Sequence, residues 1–177
     1  MPSVSFPPEI QNGSWISIPT EFQGTSSSYL STNVTSADAD RLPSVVYRPH
    51  FLVDGNYSVT IYTPGCDADG TCALRGLVDI TGRFAEGLSD SHLNTTVHDT
   101  LYQTNTQAKF DQVYYGFVNA SSDAFQPSIT LTPAQLPSTG SMNVVAQIAQ
   151  FELVTTEQDS ADSTASSTSV PTGNATQ

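Results

Sequence analysis

Residues 66–72 read Cys-Asp-Ala-Asp-Gly-Thr-Cys, the stretch where thiols, carboxylates and a turn glycine crowd together. Asp67, Asp69 and Gly70 match the opening half of a D-x-D-G calcium loop. The remaining ligands and the closing Glu are missing, and a bridge between Cys66 and Cys72 is too tight for the long wrap such a loop makes. An Asp/Gly-rich turn is the preferred reading. Asp67 and Asp69 stay calcium candidates only if further ligands arrive from elsewhere in the fold. Cys66 and Cys72 are the chain's 2 cysteines, and their closeness fits one small disulfide in an oxidising compartment better than a nucleophile or a metal pair.

Other reactive side chains form no recognisable constellation. There is no G-x-S-x-G elbow. Of the 3 histidines, His92 and His98 stand too far apart for an established ligand spacing, and His50 is isolated. Paired carboxylates for glycoside hydrolysis cannot be picked out by sequence, because what matters is their separation in space. Trp15, Tyr62 and Tyr114 could stack on a sugar ring, although core packing is the commoner use of each. The chain is thus expected to be no enzyme and to need no cofactor.

Six of the eight asparagines lie in N-x-Ser/Thr sequons: Asn12, Asn33, Asn56, Asn94, Asn119 and Asn174. Ser and Thr are roughly a quarter of the residues, so chance would supply about two. The excess implies passage through the secretory pathway, towards the cell surface. The net charge of −12, from 17 acidic and 5 basic residues, repels phosphate backbones and anionic bilayers, which excludes nucleic-acid binding and direct membrane contact. The opening Met1-Pro2-Ser3-Val4 has neither a charged n-region nor an apolar run, so signal peptide and anchor are expected outside this chain, in a longer precursor.

The elements that must position these residues are strands. Tyr57, Val59 and Ile61 alternate with Ser58 and Thr60, the period of two of a half-buried strand, and Pro64-Gly65 ends it. Leu77-Val78-Asp79-Ile80-Thr81 begins the return. Further short strands are expected at Trp15–Pro19 and within 95–104. Residues 112–118 read as a buried central strand, residues 127–133 between two prolines as an edge strand, and residues 143–153 as a strand despite partly helical spacing. Residues 24–40 read as a long surface loop. With no βαβ alternation, the fold class is all-β, an antiparallel β-sandwich or jelly roll. Residues 1–13 are expected to be a linker, 14–154 the β-sandwich domain, and 155–177 a disordered Ser/Thr-rich tail too polar to fold.

Several blocks together resemble one known family. They are Trp15-Ile16-Ser17-Ile18-Pro19, Tyr47-Arg48-Pro49, Gly55-Asn56-Tyr57-Ser58-Val59-Thr60-Ile61-Tyr62-Thr63-Pro64-Gly65-Cys66, Gly70-Thr71-Cys72 with Arg75-Gly76, and Pro127-Ser128-Ile129-Thr130-Leu131-Thr132-Pro133. The chain resembles the β domain of the fungal cortical polarity-marker proteins, the Rax-type bud-site-selection family. The resemblance implies a glycosylated, membrane-anchored surface protein in which this domain sits between kelch-like propeller segments and helps mark sites of polarised growth. It further implies a galactose-binding-like jelly roll, because a G-x-Y-x-V strand precedes a turn. The expected role is a scaffold or interaction module, with the propeller segments, a cell-wall glycan or another surface protein as partners. A lectin-like carbohydrate-binding module is the alternative.

A disulfide across so short a loop is expected to contribute about 2 kcal/mol through loop-closure entropy. Thermal melts with and without reductant check this; coincident curves would mean that the two thiols are unpaired.

Overall fold

The computed structural model describes residues 3–86 and 95–155. Twelve strands run through them: β1 (Ser3–Phe6), β2 (Glu9–Asn12), β3 (Ile16–Phe22), β4 (Thr25–Thr35), β5 (Ser44–Tyr47), β6 (Gly55–Thr63), β7 (Leu77–Arg83), β8 (Thr96–Tyr102), β9 (Lys109–Val118), β10 (Ser128–Pro133), β11 (Ser141–Ala146) and β12 (Ile148–Thr155). They form three sheets, ordered β1-β12-β6-β9, β2-β5-β10-β7-β8 and β11-β4-β3, and every strand pairing is antiparallel. The expected all-β sandwich of jelly-roll type is the architecture found. Among the described residues the one helical piece is a short 3-10 turn, Ser36–Asp40, capped by the Thr35 side chain.

Two ribbons change sheet in mid-course. β1 passes into β2 across Pro7-Pro8, where the missing N–H groups end the ladder and let the chain turn to the opposite sheet. β11 passes into β12, in another sheet, at Gln147, which belongs to neither strand. Between the four- and five-stranded sheets the core is apolar. Val59, Ile61, Ala149 and Phe151 on one side meet Tyr47, Ile80, Ile129 and Leu131 on the other, each at most 1% exposed. The alternation read in β6 holds: Tyr57, Val59 and Ile61 are buried while Ser58 and Thr60 are half-buried on the other face.

Four expectations need correction. Within the stretch 1–13 expected as a linker, residues 3–6 and 9–12 are strands: β1 pairs with β12 and β2 with β5, and Phe6 sets its ring edge-on 5.8 Å from Phe51 and 5.6 Å from Phe151. The Ser/Thr-rich stretch expected as a loop is largely β4, an eleven-residue strand held between β3 and β11; β-branched Thr and cross-strand pairing outweigh its polarity. β9 is an edge strand, with Tyr115 62% exposed, whereas β10 is the centre of the five-stranded sheet. The prolines misled because Pro127 precedes β10 and Pro133 closes it, so neither interrupts the ladder's middle. The tail from 156 onward, with Asn174, and Asn94 and His92 lie outside the described residues.

If residues 3–6 are a structural strand, Phe6→Ala should lower stability by about 2 kcal/mol, from lost ring burial and edge contacts. The urea midpoint measures this, and a linker residue would leave it unmoved.

Candidate functional site

β6 ends at Thr63, and the segment after it is fixed by close backbone packing. A side-chain carbon on Gly65 would lie 2.4 Å from the Thr106 carbonyl, so only glycine lets residues 104–108 approach. The Cys66 amide then donates to the Asn105 carbonyl at 3.0 Å, and the Asp67 amide to that of Thr106 at 3.3 Å. Cys66 and Cys72 form the expected disulfide, with Cα atoms 4.9 Å apart. Gly70, at φ +67°, supplies the left-handed residue that turns the loop back.

Inside that loop stands Arg75, whose side chain has no exposed surface. Its Nη1 donates to the Pro64 carbonyl at 2.6 Å, Nε to Thr71 Oγ1 at 2.9 Å and Nη2 to Asp69 Oδ2 at 2.8 Å. Asp69 Oδ2 also accepts from the Tyr29 hydroxyl at 2.6 Å, while Oδ1 accepts from the Thr71 amide at 3.0 Å and from the Thr71 hydroxyl. Burial alone would raise the Asp69 carboxyl; the hydrogen bonds from Thr71, Tyr29 and Arg75 outweigh it and hold the group down at about 2. The same contact works oppositely on Tyr29, whose hydroxyl is pushed up to about 12 by burial and then by the neighbouring Asp69. The cation of this Asp-rich loop is thus a guanidinium. Asp69, offered as a calcium ligand, has both oxygens occupied by protein donors, and Asp67 points to an exposed position without joining it.

Beside the loop lies an open groove of about 430 Å³. Four consecutive residues of β3, Ile18 to Glu21, form one wall; Tyr62, Asp67 and Gln107 stand on the others. Two further rings, outside that lining, pack on Tyr62. Phe22 and Phe110 each lie 4.6 Å from Tyr62, at interplanar angles of 85° and 61°.

The expected sugar-stacking residues separate here. Tyr62 lines the groove. Tyr114 is buried, its ring stacked 3.9 Å from that of Phe84, and offers no face to a ligand. Trp15 is half-buried against the core, its indole N–H donating to the Asn12 carbonyl at 2.8 Å. Among the sequons, Asn33 and Asn56 are exposed and Asn12 and Asn119 half-buried, and none of these four lines the groove. Phe110 and Tyr29 carried no signal in sequence, since each gains its role from a partner some 40 residues or more away. Arg75 carried a faint one: a lone base close to two aspartates in a chain with 5 basic residues.

Asp69 has its folded-state affinity for protons lowered from 3.8 to about 2, so its contribution to stability is present above 3.8 and lost as pH falls towards 2. Asp69→Asn should flatten the acid limb of stability in that window, and Arg75→Met should cost about 3 kcal/mol by leaving Asp69 without its cation. Chemical denaturation across a pH series measures both; parallel acid limbs for the parent and Asp69→Asn would contradict the assignment.

Comparison with known proteins agrees with this frame. The chain is 41% identical over 144 residues to "Polarized growth protein L1" of Phoma sp., covering 80% of this chain and 10% of that protein. It is 32% identical over 109 residues to "Bud site selection protein RAX2" of Saccharomyces cerevisiae, covering 60% of this chain and 8% of that one. It is 38% identical over 97 residues to "Polarized growth protein RAX2" of Candida albicans, covering 55% and 6%. The chain therefore spans a tenth or less of these relatives. Among solved structures it is similar to the CBM36-1 domain of a multidomain xylanase from the hindgut metagenome of Trinervitermes trinervoides, with a TM-score of 0.46, 10% identity, and coverage of 85% and 97%. That likeness is one of general outline and implies no ligand. The model of the Rax2 third domain matches residues 3–154, taking in β1 and β2 as well as the sandwich that follows, and on that match the chain belongs to the Rax2 family.

Proposed function

We propose that this domain is a non-catalytic module on the extracellular side of a fungal cell-surface polarity protein, where it acts as a scaffold and interaction domain for marking sites of polarised growth. The observation that carries the proposal is the pairing of the first and last described strands. Ser3 lies opposite Glu152, and Leu153 and Thr155 lie opposite Tyr57 and Asn56 at the start of β6. Both ends of the domain therefore leave side by side at one pole. Such a module can project from a larger chain without separating the parts on either side of it. The relatives are many times longer, and their names place them in bud-site selection and polarised growth.

The groove lies at the other pole. β6 carries the chain from Gly55 beside the ends to Thr63 beside Tyr62 and Pro64, nine residues and so ~25 Å away. Sequons at Asn56 and Asn119 sit at the pole of the ends, Asn119 directly after the Val118 that pairs with Gly55. Sugars there would leave the far pole open. The disulfide and the excess of sequons support an oxidising, secretory setting. In this reading the neighbouring kelch-like segments hold the tethered pole and a partner meets the free one.

In a full-length relative, replacing the equivalent of residues 3–154 by a short Gly/Ser linker should leave surface delivery intact and randomise growth-site choice. Fluorescent-tag imaging and bud-scar counts read the two separately. Normal site choice with the module removed would overturn the proposal.

A further inference from the structure

We infer that the groove between β3 and the disulfide loop binds a basic, extended polypeptide segment, seating a Lys or Arg side chain against Tyr62 between the Glu21 and Asp67 carboxylates. The inference rests on the reading of this chain as an interaction module and gives that module a site and a ligand class.

Charge comes first. Glu21 and Asp67 are both exposed on the groove, and neither forms an ion pair among the described residues. The bases nearest the groove are already engaged: Arg75 is buried on Asp69, and Lys109 is paired with Asp111. The groove therefore presents uncompensated negative charge within a chain of net charge −12, which favours a cationic ligand and disfavours an acidic one.

Ring geometry decides between a side chain and a sugar. A pyranose needs a flat, open platform. Phe22, Tyr62 and Phe110 are instead tilted 56° to 85° from one another, a corner rather than a plane. A corner of aromatic edges and faces suits a flexible aliphatic stem ending in a cation, which gains from both apolar contact and the ring quadrupole. Phe110, which packs on Tyr62 beyond the groove's lining, is 53% exposed on the edge strand β9, so a stem that passes Tyr62 meets further apolar surface.

Backbone geometry favours a polypeptide as the carrier of that cation. Among the described residues β3 is the outer strand of its sheet, paired with β4 on one side. Side chains alternate along a strand, so a wall made of four consecutive residues, Ile18 to Glu21, includes β3 backbone as well as side chains. Alternate residues of an antiparallel pair turn their backbone groups outward, so from the two-residue turn at Gln23-Gly24 those of Glu21 and the Pro19 carbonyl face away from β4 and are open to an extended segment laid alongside. The floor is rigid because Tyr29, Asp69, Thr71 and Arg75 hold one another, so little ordering is left for the binding step.

The test uses the whole chain and three probes. One is a capped heptapeptide with alternating Lys/Arg and Val; the second is its Glu counterpart; the third is a glucosamine tetramer. Calorimetry and amide chemical-shift mapping should show the basic peptide binding, weaker at high salt, with shifts centred on Thr20, Glu21, Asp67 and Gln107. The Glu peptide should not bind. Glu21→Gln with Asp67→Asn changes only exposed side chains and should weaken binding about fivefold or more. Equal binding of the Glu peptide, an unchanged double variant or shifts away from the groove would overturn the inference, as would binding of the glucosamine tetramer in place of the peptide, which would mark a glycan site. Failure here with lost growth-site choice on module deletion would sink the groove assignment alone and leave the module reading standing.

Discussion

A guanidinium with no solvent-exposed surface is the constraint on which the free pole of this sandwich depends. Burying Arg75 is tolerable only if its charge is balanced and its N–H groups find acceptors. Asp69 supplies the charge, Thr71 and the Pro64 carbonyl the remaining acceptors. Satisfying Arg75 therefore dictates the shape of the loop: residue 64 must stop its strand with a carbonyl turned inward, residue 69 must face back, and Gly70 must take the left-handed conformation between them. The disulfide closes the same loop covalently. Neither device alone explains the arrangement, because the disulfide limits the loop's size while the guanidinium orients its contents.

The network also couples parts of the fold that share no strand ladder. Tyr29 reaches Asp69 from β4, forty positions earlier in the chain. On the other side, Arg75 bridges to Asn143 of β11, and the Asn143 amide donates to the Leu74 carbonyl at 2.8 Å. Asn143 in turn donates to Ser31 and Thr32 on β4. The small third sheet is thereby fastened to the disulfide loop, and the groove is the seam between them. Its walls come from β3, from the end of β6, from the loop and from the segment that leads into β9. With Tyr29 of β4 the site draws on five separate segments and is held only as well as their mutual contacts, which is why the buried charge beneath it matters to its shape.

Much of the sandwich was legible from local pattern. The period of two along β6 identified both its buried face and its end at Pro64-Gly65, because side-chain alternation and the absence of a proline N–H are properties of a few adjacent residues. Strand identity in residues 143–153 was similarly readable, though the change of sheet at Gln147 was not. What failed was every judgement of place within a sheet. β9, rich in aromatics, proved an edge, and β10, bracketed by prolines, proved central. Order in a sheet is set by which strands meet, and no single strand carries that information. The Ser/Thr-rich β4 failed for a related reason: its strand state is imposed by β3 and β11 on either side.

By itself, the sequence determined the all-β class, the short disulfide and the family, since each rests on residues close together in the chain. It also located the candidate loop, but left its two aspartates equivalent. Only the tertiary structure separated them, placing Asp69 against Arg75 and Tyr29 and leaving Asp67 exposed on the groove. It likewise divided three similar aromatics, turning Tyr114 into the core, Trp15 against the sandwich's flank and Tyr62 to the groove. The physical reason is common to both. Whether a carboxylate or a ring is buried, paired or free depends on partners tens of residues away, and those are chosen by the packing of sheets rather than by any local rule.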